Sequence, residues 1–199
     1  MTRKCVLASN NKGKLREFNA LFAPLQIEVV AQGALGVESC PEPYFTFLEN
    51  ALTKARHASR VTGLPALADD SGICADALKG RPGVFSARYA GDQCDDEANN
   101  AKLIEQLSDK EDKSAHYTCV LVAVRDADDP EPIVVEGRWN GQIISEAAGT
   151  GGFGYDPYFY LPEFGCTAAQ LTAEQKNAVS HRGKAMKAMI EAIAERWGW

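Results

Sequence analysis

The sequence predicts a mixed α/β fold, in which buried strands alternate with amphipathic helices and at least one pair of strands is antiparallel. Short apolar runs such as 5–8 indicate buried strands, and the stretch 14–23 that follows repeats apolar residues at helical spacing. Further along, the runs 116–125 and 133–139 flank a polar turn at 126–132, which predicts a hairpin. Because a hairpin joins antiparallel strands, a mixed sheet fits this pattern better than a purely parallel one.

Length and composition favour one globular domain spanning residues 1–199. The 199 residues are 45% hydrophobic and 24% charged, which suffices for a core and is typical of globular proteins. The formal net charge of -6 argues against a nucleic-acid-binding surface, which usually shows as a basic patch, although a locally basic pocket can still bind one small anion. We therefore expect a small-molecule ligand and no nucleic acid.

The sequence shows no pattern of a membrane span or signal sequence, and its cysteines are spaced as in proteins of a reducing compartment. No apolar run approaches the roughly 18 residues of a membrane span, and the basic start 1–4 precedes too few apolar residues for a signal sequence. The six cysteines include no CxxC pair. Three of them, Cys5, Cys74 and Cys119, lie in apolar runs and are predicted to be small core residues. We expect a cytoplasmic protein without membrane association.

A polar, glycine-containing segment follows the first strand and precedes the first helix. This order is typical of a phosphate cradle, where backbone N–H groups and the helix dipole face an anion. The candidate residues are Ser9, Asn10, Asn11, Lys12, Gly13 and Lys14. The pattern is not a Walker A loop, and taken alone it equally describes an ordinary strand-to-helix turn with solvated lysines.

Two adjacent carboxylates, Asp69 and Asp70, follow the apolar run 64–68 and precede Ser71. Ligands in open α/β sheets bind beyond the carboxyl ends of strands, and paired carboxylates suit Mg2+ or a general base. Neighbours in an extended chain point to opposite sides, so the two need not share one role. An Asx-type turn explains the same residues equally well.

A capping-box pattern at 46–49 begins a helix that carries Lys54 on a face lined with small apolar residues. A lysine in that setting can reach a phosphate, although a solvated lysine is the commoner outcome. Glu42, in the proline-flanked loop 39–43, is a candidate second metal ligand or an ordinary exposed glutamate.

The segment 149–157 is rich in glycine and satisfies GxGxxG by count. It does not begin a helix within a βαβ unit, so we reject a dinucleotide site. Glycines around Phe153 would instead let a flat ring stack on an exposed aromatic. Phenylalanine more often fills a core, and that alternative stays open here.

The segment Ser180-His181-Arg182 begins the last predicted helix. Ser180 is the expected N-cap, whereas His181 and Arg182 oppose the helix-dipole preference, which suggests a functional reason. Arginine, like Lys176 one turn upstream, only donates hydrogen bonds, so it suits a keto oxygen and clashes with an amino group.

Together these segments resemble the inosine triphosphate pyrophosphatase family, most closely its bacterial members, over nearly the whole chain. The motifs that carry the resemblance lie, in order, at 8–14, 47–55, 68–72, 82–89, 149–157 and 180–185.

The resemblance implies an α/β, two-lobed, mixed-sheet ITPase-like (Maf/Ham1-like) fold with a central active-site cleft. It implies a cytoplasmic homodimer that uses Mg2+ to hydrolyse ITP, dITP and XTP to the monophosphate and pyrophosphate, removing deaminated purines from the nucleotide pool. Asp70 is then the catalytic base and a metal ligand, and Glu42 a second ligand. The implied contacts to the triphosphate are Ser9, Asn10, Asn11, Lys12, Gly13 and Lys14, with Lys54 as a further phosphate contact, and Ser71 is implied to bind substrate. The implied contacts to the base and sugar are Phe153, Gly154, Tyr155, Asp156 and Lys176, and His181 and Arg182 are implied to read the base.

Two alternatives stay open. A Maf-like pyrophosphatase acting on dTTP or UTP shares the general architecture, and the segment 180–182 argues against it. The second alternative is a regulator that binds a nucleotide without hydrolysing it. The full set of acidic and basic candidate residues argues against such a regulator.

Overall fold

An eight-stranded mixed sheet organises the part of the chain that the computed structural model describes, residues 3–93 and 95–199. The strands are β1 Arg3–Leu7, β2 Ile27–Ala31, β3 Ala66–Ala75, β4 Arg81–Pro82, β5 Ser114–Val124, β6 Ile133–Ile143, β7 Phe159–Leu161 and β8 Cys166–Thr167. The α-helices are α1 Lys12–Phe22, α2 Phe47–Thr62, α3 Asp96–Leu107, α4 Ala173–Val179 and α5 His181–Trp197.

The sheet order is β2-β1-β3-β5-β6-β7-β8, with β4 pairing to β3. Strand β1 runs parallel to β2 and to β3, whereas the pairs β3–β4, β6–β7 and β7–β8 are antiparallel. The predicted mixed α/β sheet is therefore confirmed. The chain divides into two compact units: unit 1 holds the residues up to Asp70 with 120–136 and 185–199, and unit 2 holds 71–119 with 137–184.

In unit 1, helix α2 packs on the sheet through a stripe of small side chains. Ala51, Ala55 and Ala58 are fully buried in one cluster with valines of β1 and β5. Two larger apolar residues of the same helix, Leu48 and Val61, are 43% and 55% exposed. Methyl side chains let a helix lie close to a sheet, and the two larger residues fall in its terminal turns, beyond that stripe.

Helix α1 begins at Lys12, two residues before the predicted start at Lys14. Asn11 has extended backbone angles, and its side-chain oxygen accepts hydrogen bonds from the N–H groups of Gly13 at 2.8 Å and Lys14 at 3.0 Å. An asparagine N-cap satisfies donors that the first helical turn otherwise leaves unbonded, so it sets the helix start.

Strand β3 is longer than the sequence pattern indicates. The prediction that the strand ends at Ala68 is wrong, and the alternative of an Asx-type turn at Asp69 and Asp70 is excluded, because β3 continues through both carboxylates to Ala75. A buried carboxylate is tolerated when it has a partner. Each has one: an ion pair joins Lys14 to Asp69 and another joins Lys54 to Asp70.

The core of unit 2 is aromatic. The ring of Tyr117 on β5 lies 4.8 Å from that of Phe159, which in turn lies 5.4 Å from Trp139 on β6, both edge-to-face. Leu103 and Leu107 of α3 are buried in the same cluster.

Helix α5 begins at His181 after the N-cap that the sequence predicts, since Ser180 Oγ accepts a hydrogen bond from the N–H of Gly183 at 3.2 Å. Its buried face carries Met186, Met189 and Ile193. Across residues 3–93 and 95–199, no helix is long and apolar enough to cross a membrane.

The three cysteines predicted to be small core residues lie in the core. Cys5, Cys74 and Cys119 are buried, whereas Cys94 lies outside the described residues, as do the first two residues of the basic start. Burial raises the pKa of the Cys5 thiol to about 12, so it is an inert core side chain at neutral pH.

The turn between β5 and β6 depends on a buried carboxylate. Asp129 is 2% exposed and accepts hydrogen bonds from the N–H groups of Arg125 and Glu131, each at 2.9 Å. Burial raises the pKa of Asp129, but these N–H groups and the charge of Arg125 outweigh it, and the net pKa lies below the ordinary value. The ionised form therefore stabilises the turn.

We expect Asp129→Asn to lower the free energy of unfolding at pH 7. Because the pKa is lower in the folded state, the stabilisation is complete above the ordinary value of about 4 and is lost as the pH falls through the lowered one. Denaturant unfolding between pH 7 and pH 2.5 should therefore show the gap between variant and wild type closing in acid. Asp128→Asn, at a 93%-exposed side chain of the same turn, is the control. A gap that does not change with pH would contradict this account.

Candidate active site

The polar segment after β1 folds as a tight turn into α1. Ser9 Oγ accepts a hydrogen bond from the N–H of Asn11 at 3.2 Å, and Asn10 Oδ1 accepts one from the N–H of Gly33 at 2.8 Å. Because the side chain of Asn11 already bonds the N–H groups of Gly13 and Lys14, those two donors are occupied in this structure. The charge that this turn offers an anion comes chiefly from lysine side chains.

Lys14 and Asp69 form a close ion pair. The Lys14 Nζ lies 2.8 Å from one carboxylate oxygen of Asp69 and 2.7 Å from the other, and the Asp69 side chain is only 1% exposed. Asp69 therefore acts as the buried anchor of Lys14. The sequence leaves open whether Asp69 shares the role of Asp70. In the structure the Asp69 carboxylate is paired with Lys14 of α1, whereas that of Asp70 faces α2.

Asp70 faces helix α2. Its Oδ2 accepts a hydrogen bond from Asn50 Nδ2 at 3.2 Å, and its Oδ1 lies 3.5 Å from Lys54 Nζ. The same ammonium lies 3.0 Å from Glu42 Oε2. Asp70 and Glu42, the two predicted metal ligands, thus converge on one cation.

Asn50 is a residue whose role the sequence did not predict. It is 1% exposed, and besides Asp70 it bonds both the N–H and the carbonyl oxygen of Tyr44, at 3.1 and 3.2 Å. It therefore fixes the catalytic candidate relative to the loop that carries Glu42. A signal was present, since Asn50 lies four residues before Lys54 and shares its helix face.

The electrostatics of this group favour a basic carboxylate beside a charged lysine. Burial raises the pKa of Asp70, Lys54 lowers it, and Glu42 raises it again, with a net upward shift. Burial lowers the pKa of Lys54, but the carboxylates of Asp70 and Glu42 outweigh this and the net pKa is raised. A carboxylate with a raised pKa accepts a proton more readily than an ordinary aspartate.

A polar cavity of about 200 Å³ opens in unit 1. Its polar lining includes Ser9, Asn10, Lys14, Glu42, Lys54 and Asp69. The mixture of ammonium and carboxylate groups suits a ligand that brings both anionic oxygens and a cation, as a metal-bound phosphate does.

The carboxylates of Glu42 and Asp70 fit a Mg2+ ion that is also bound by substrate phosphates. Among the residues that the structure describes, no group of three or more His, Cys, Asp or Glu side chains is placed to hold a metal. Magnesium, however, usually takes one or two protein carboxylates and completes its shell with water and substrate phosphates. The convergence of Glu42 and Asp70 on the Lys54 ammonium shows that their oxygens can share one cation.

In unit 2, Phe153 presents its ring to solvent. The ring is 63% exposed, so the alternative that Phe153 fills a core is wrong. Lys176 Nζ lies 4.7 Å from the ring centroid, and the Arg182 guanidinium lies 5.9 Å from it. These distances are typical of cation–π contacts, and they bring three predicted substrate contacts together.

Asp156 connects this exposed ring to the core of unit 2. It is 2% exposed, and its Oδ2 accepts hydrogen bonds from the N–H of Phe153 at 2.9 Å and from the Lys176 ammonium. Its Oδ1 accepts one from the hydroxyl of Tyr117 at 3.4 Å.

Tyr117 also contacts His181. The sequence pattern predicted neither this contact nor the hydrogen bond of Tyr117 to Asp156. The two rings stack at 4.7 Å with an interplanar angle of 8°. Burial, followed by the charge of Asp156, raises the pKa of Tyr117 well above its ordinary value, so the hydroxyl stays a neutral donor. His181 is thus held in a fixed orientation by an aromatic neighbour.

Tyr155 differs from its predicted role. Its side chain is 5% exposed, and its hydroxyl donates a hydrogen bond to the carbonyl oxygen of Ser86 at 2.7 Å, so the ring belongs to the core. Ser71 is half-buried and directly follows Asp70 on β3.

Comparison with known proteins supplies the family. The model of the Ham1 family matches residues 5–192. The chain belongs to the Ham1 family. It is 59% identical to the dITP/XTP pyrophosphatase of Nitrosomonas europaea, covering 96% of this chain and 95% of that protein. It is 60% identical to the dITP/XTP pyrophosphatase of Ralstonia nicotianae, covering 96% of each.

Solved structures of the Ham1 family share the fold. A HAM1 protein from Coxiella burnetii is 45% identical, with a TM-score of 0.95 over 97% of this chain and 99% of that one. The Ham1 protein of Staphylococcus aureus is 38% identical, with a TM-score of 0.88 over 95% and 97%. In this Ham1-family chain, the predicted phosphate and metal residues up to Asp70 lie in unit 1, and the predicted purine residues lie in unit 2.

Proposed function

We propose that this chain hydrolyses non-standard purine nucleoside triphosphates, namely ITP, dITP and XTP, to the nucleoside monophosphate and pyrophosphate. The proposal rests above all on the arrangement of Asp70, whose carboxylate is bonded by Asn50 and faces the same ammonium as Glu42. It is also supported by relatives that are about 60% identical and are named dITP/XTP pyrophosphatases. The cellular role we propose is removal of deaminated purines from the nucleotide pool.

The chemistry of the phosphate end follows from the charges of unit 1. Asp70 aligns a water molecule and accepts its proton as the water attacks the α-phosphorus, and pyrophosphate leaves. Lys12, Lys14 and Lys54 bind the phosphate oxygens and offset the charge that gathers on them. We propose Mg2+ as the metal, held by Asp70 and Glu42, where it would neutralise phosphate charge.

The purine end follows from the donors of unit 2. Phe153 stacks on the flat base, and Lys176 and Asp156 hold the base and sugar. His181 and Arg182 donate hydrogen bonds to the keto oxygen at the purine 6-position. An adenine amino group would leave a donor facing a donor, at about 1–3 kcal/mol for each unsatisfied buried group, and sites of this kind discriminate by about 10⁴-fold or more.

The test is pyrophosphate release with Mg2+ from ITP, dITP, XTP, ATP, GTP, dTTP and UTP. We expect turnover of the first three and little of ATP, dTTP or UTP. Equal rates on ATP and ITP would exclude the proposed selectivity, and orthophosphate as the product would exclude the cleavage site. Preference for dTTP or UTP would instead identify the Maf-like activity, and tight ITP binding without turnover would identify a regulator.

Phe153→Ala should raise KM for ITP roughly 10-fold, within the about 1–3 kcal/mol that stacking of a base on an aromatic ring contributes. The value of kcat should change little, because the ring does not touch the reacting phosphorus. Steady-state kinetics measure both constants. Phe164→Ala removes another exposed phenylalanine of unit 2 and serves as control. A loss confined to kcat would contradict the stacking role.

We further propose that residues 1–199 act as a single pyrophosphatase domain that forms a homodimer in the cytoplasm and binds neither nucleic acid nor membrane. The net charge of -6 argues against nucleic-acid binding, and the near-complete coverage of the relatives' chains supports a single domain. Light scattering coupled to size exclusion measures the mass, and a monomer at micromolar concentration would exclude the dimer.

A further inference from the structure

The first turns of helix α3 contact the glycine-rich loop of unit 2 at one residue. Asp96 Oδ2 accepts a hydrogen bond from the N–H of Gly154 at 2.9 Å. Asn100 Nδ2 donates to the carbonyl oxygen of Gly154 at 2.9 Å and also to the carbonyl oxygen of Asp96 at 2.8 Å. The donor and the acceptor of Gly154 are therefore both held by side chains of one helix.

Helix α3 is a firm base for this contact. Its N-cap, Asp95, accepts hydrogen bonds from the N–H groups of Glu97 at 2.9 Å and Ala98 at 3.3 Å, which keeps the first turn closed. Asp96 and Asn100 lie four residues apart and so share a helix face. Asn100 is 5% exposed, and a carboxylate such as Asp96 is favoured at a helix N-terminus.

The loop needs such a contact because its own backbone is permissive. Phe153 lies between Gly152 and Gly154, whose φ angles of 76° and 61° are in the left-handed region that favours glycine. Apart from the cation–π contacts with Lys176 and Arg182, the exposed Phe153 ring has little packing around it, so the backbone of the loop also determines its direction. Asp156 holds the N–H of Phe153, and α3 holds the residue that follows.

We propose that Asp96 and Asn100 are positioning residues that fix the direction of the Phe153 ring for purine binding. This inference rests on the proposed function, and it adds two residues of α3 that do not touch the substrate. Without them the loop would be ordered only when the base binds. Because ordering the backbone of one residue has an entropic cost, the affinity for the base would then be about 5- to 30-fold lower.

The experiment uses the exposed member of the pair. Asp96→Ala should raise the Kd for inosine monophosphate, measured by calorimetry, and the KM for ITP by about 5- to 30-fold. The kcat and the Kd for inorganic tripolyphosphate, which has no base, should stay at the wild-type values. Asp96→Asn keeps an acceptor oxygen for Gly154 and should restore most of the binding, and Asn100→Ala should behave like Asp96→Ala.

Glu97→Ala is the matched control, because it removes a neighbouring exposed carboxylate from the same helical turn. If Asp96→Ala binds inosine monophosphate as wild type does, or if Glu97→Ala weakens binding equally, the positioning role is overturned. Equal weakening for tripolyphosphate and inosine monophosphate would also overturn it, since a general loss of structure has that signature. If wild type neither binds inosine monophosphate nor hydrolyses ITP, the proposed function itself fails, and the roles of Asp96 and Asn100 fail with it.

Discussion

Asp70→Asn is expected to lower kcat for ITP about 10²- to 10⁴-fold, the range that a positioned general base contributes. The amide keeps the shape of the carboxylate and can still accept a hydrogen bond from Asn50, but it cannot take a proton from water. KM should change by a few-fold at most, because the phosphate lysines and the purine residues are untouched. Steady-state pyrophosphate release measures both constants.

The structure separates this loss from unfolding. Burial raises the pKa of Asp70 in the folded protein, so its ionised form is destabilising at neutral pH, and Asp70→Asn should have a melting temperature at or above that of wild type. Asp129→Asn is the matched control, since it also neutralises a buried carboxylate of unit 1, and there stability should fall while kcat holds. If Asp70→Asn retained more than a tenth of wild-type kcat, Asp70 would not be the base.

Lys14→Met is expected to destabilise the protein by about 3 kcal/mol, because it leaves Asp69 buried without its partner. This is the low end of the range for breaking a buried pair, since the Lys14 side chain is 23% exposed and that of Asp69 is 1% exposed. For a chain of this length the melting temperature should fall by roughly 6–12 °C. Calorimetry or denaturant unfolding at pH 7 measures the change.

A double variant tests the cause. Lys14→Met combined with Asp69→Leu removes both charges, so it should recover most of the stability. It should not recover ITP hydrolysis, because the phosphate lysine is still missing. If the double variant were as unstable as the sum of its single variants, the ion pair would not explain the loss.

The sequence predicted the elements whose cause is local. Thr46 and Ser180 precede helices because a short polar side chain satisfies the first N–H groups, and such caps can be seen in a few neighbouring residues. For Phe153 the sequence left two alternatives, because flanking glycines favour an exposed aromatic whereas phenylalanine more often fills a core, and the structure decides for exposure.

The features that the sequence did not predict depend on contacts distant in the chain. Asp69 and Asp70 look like a turn until Lys14 and Lys54 supply the charges that let them lie within a strand. The hydrogen bond of Asn50 to Asp70 spans 20 residues, and that of Asp96 to Gly154 spans 58. Local patterns contain no information on such pairs. The helices and strands could therefore be predicted more completely than the contacts that hold the site residues in place.

Strand β3 also constrains how the gene for this chain can change. The pairing of Val6 with Ala66 and of Leu7 with Leu67 fixes the register of β3 beside β1. Losing or gaining one codon before Asp69 would shift the strand by one residue. The Asp69 side chain would then point toward α2, and the Asp70 side chain toward α1. A change in the length of this stretch would therefore exchange the anchor of α1 with the proposed catalytic base.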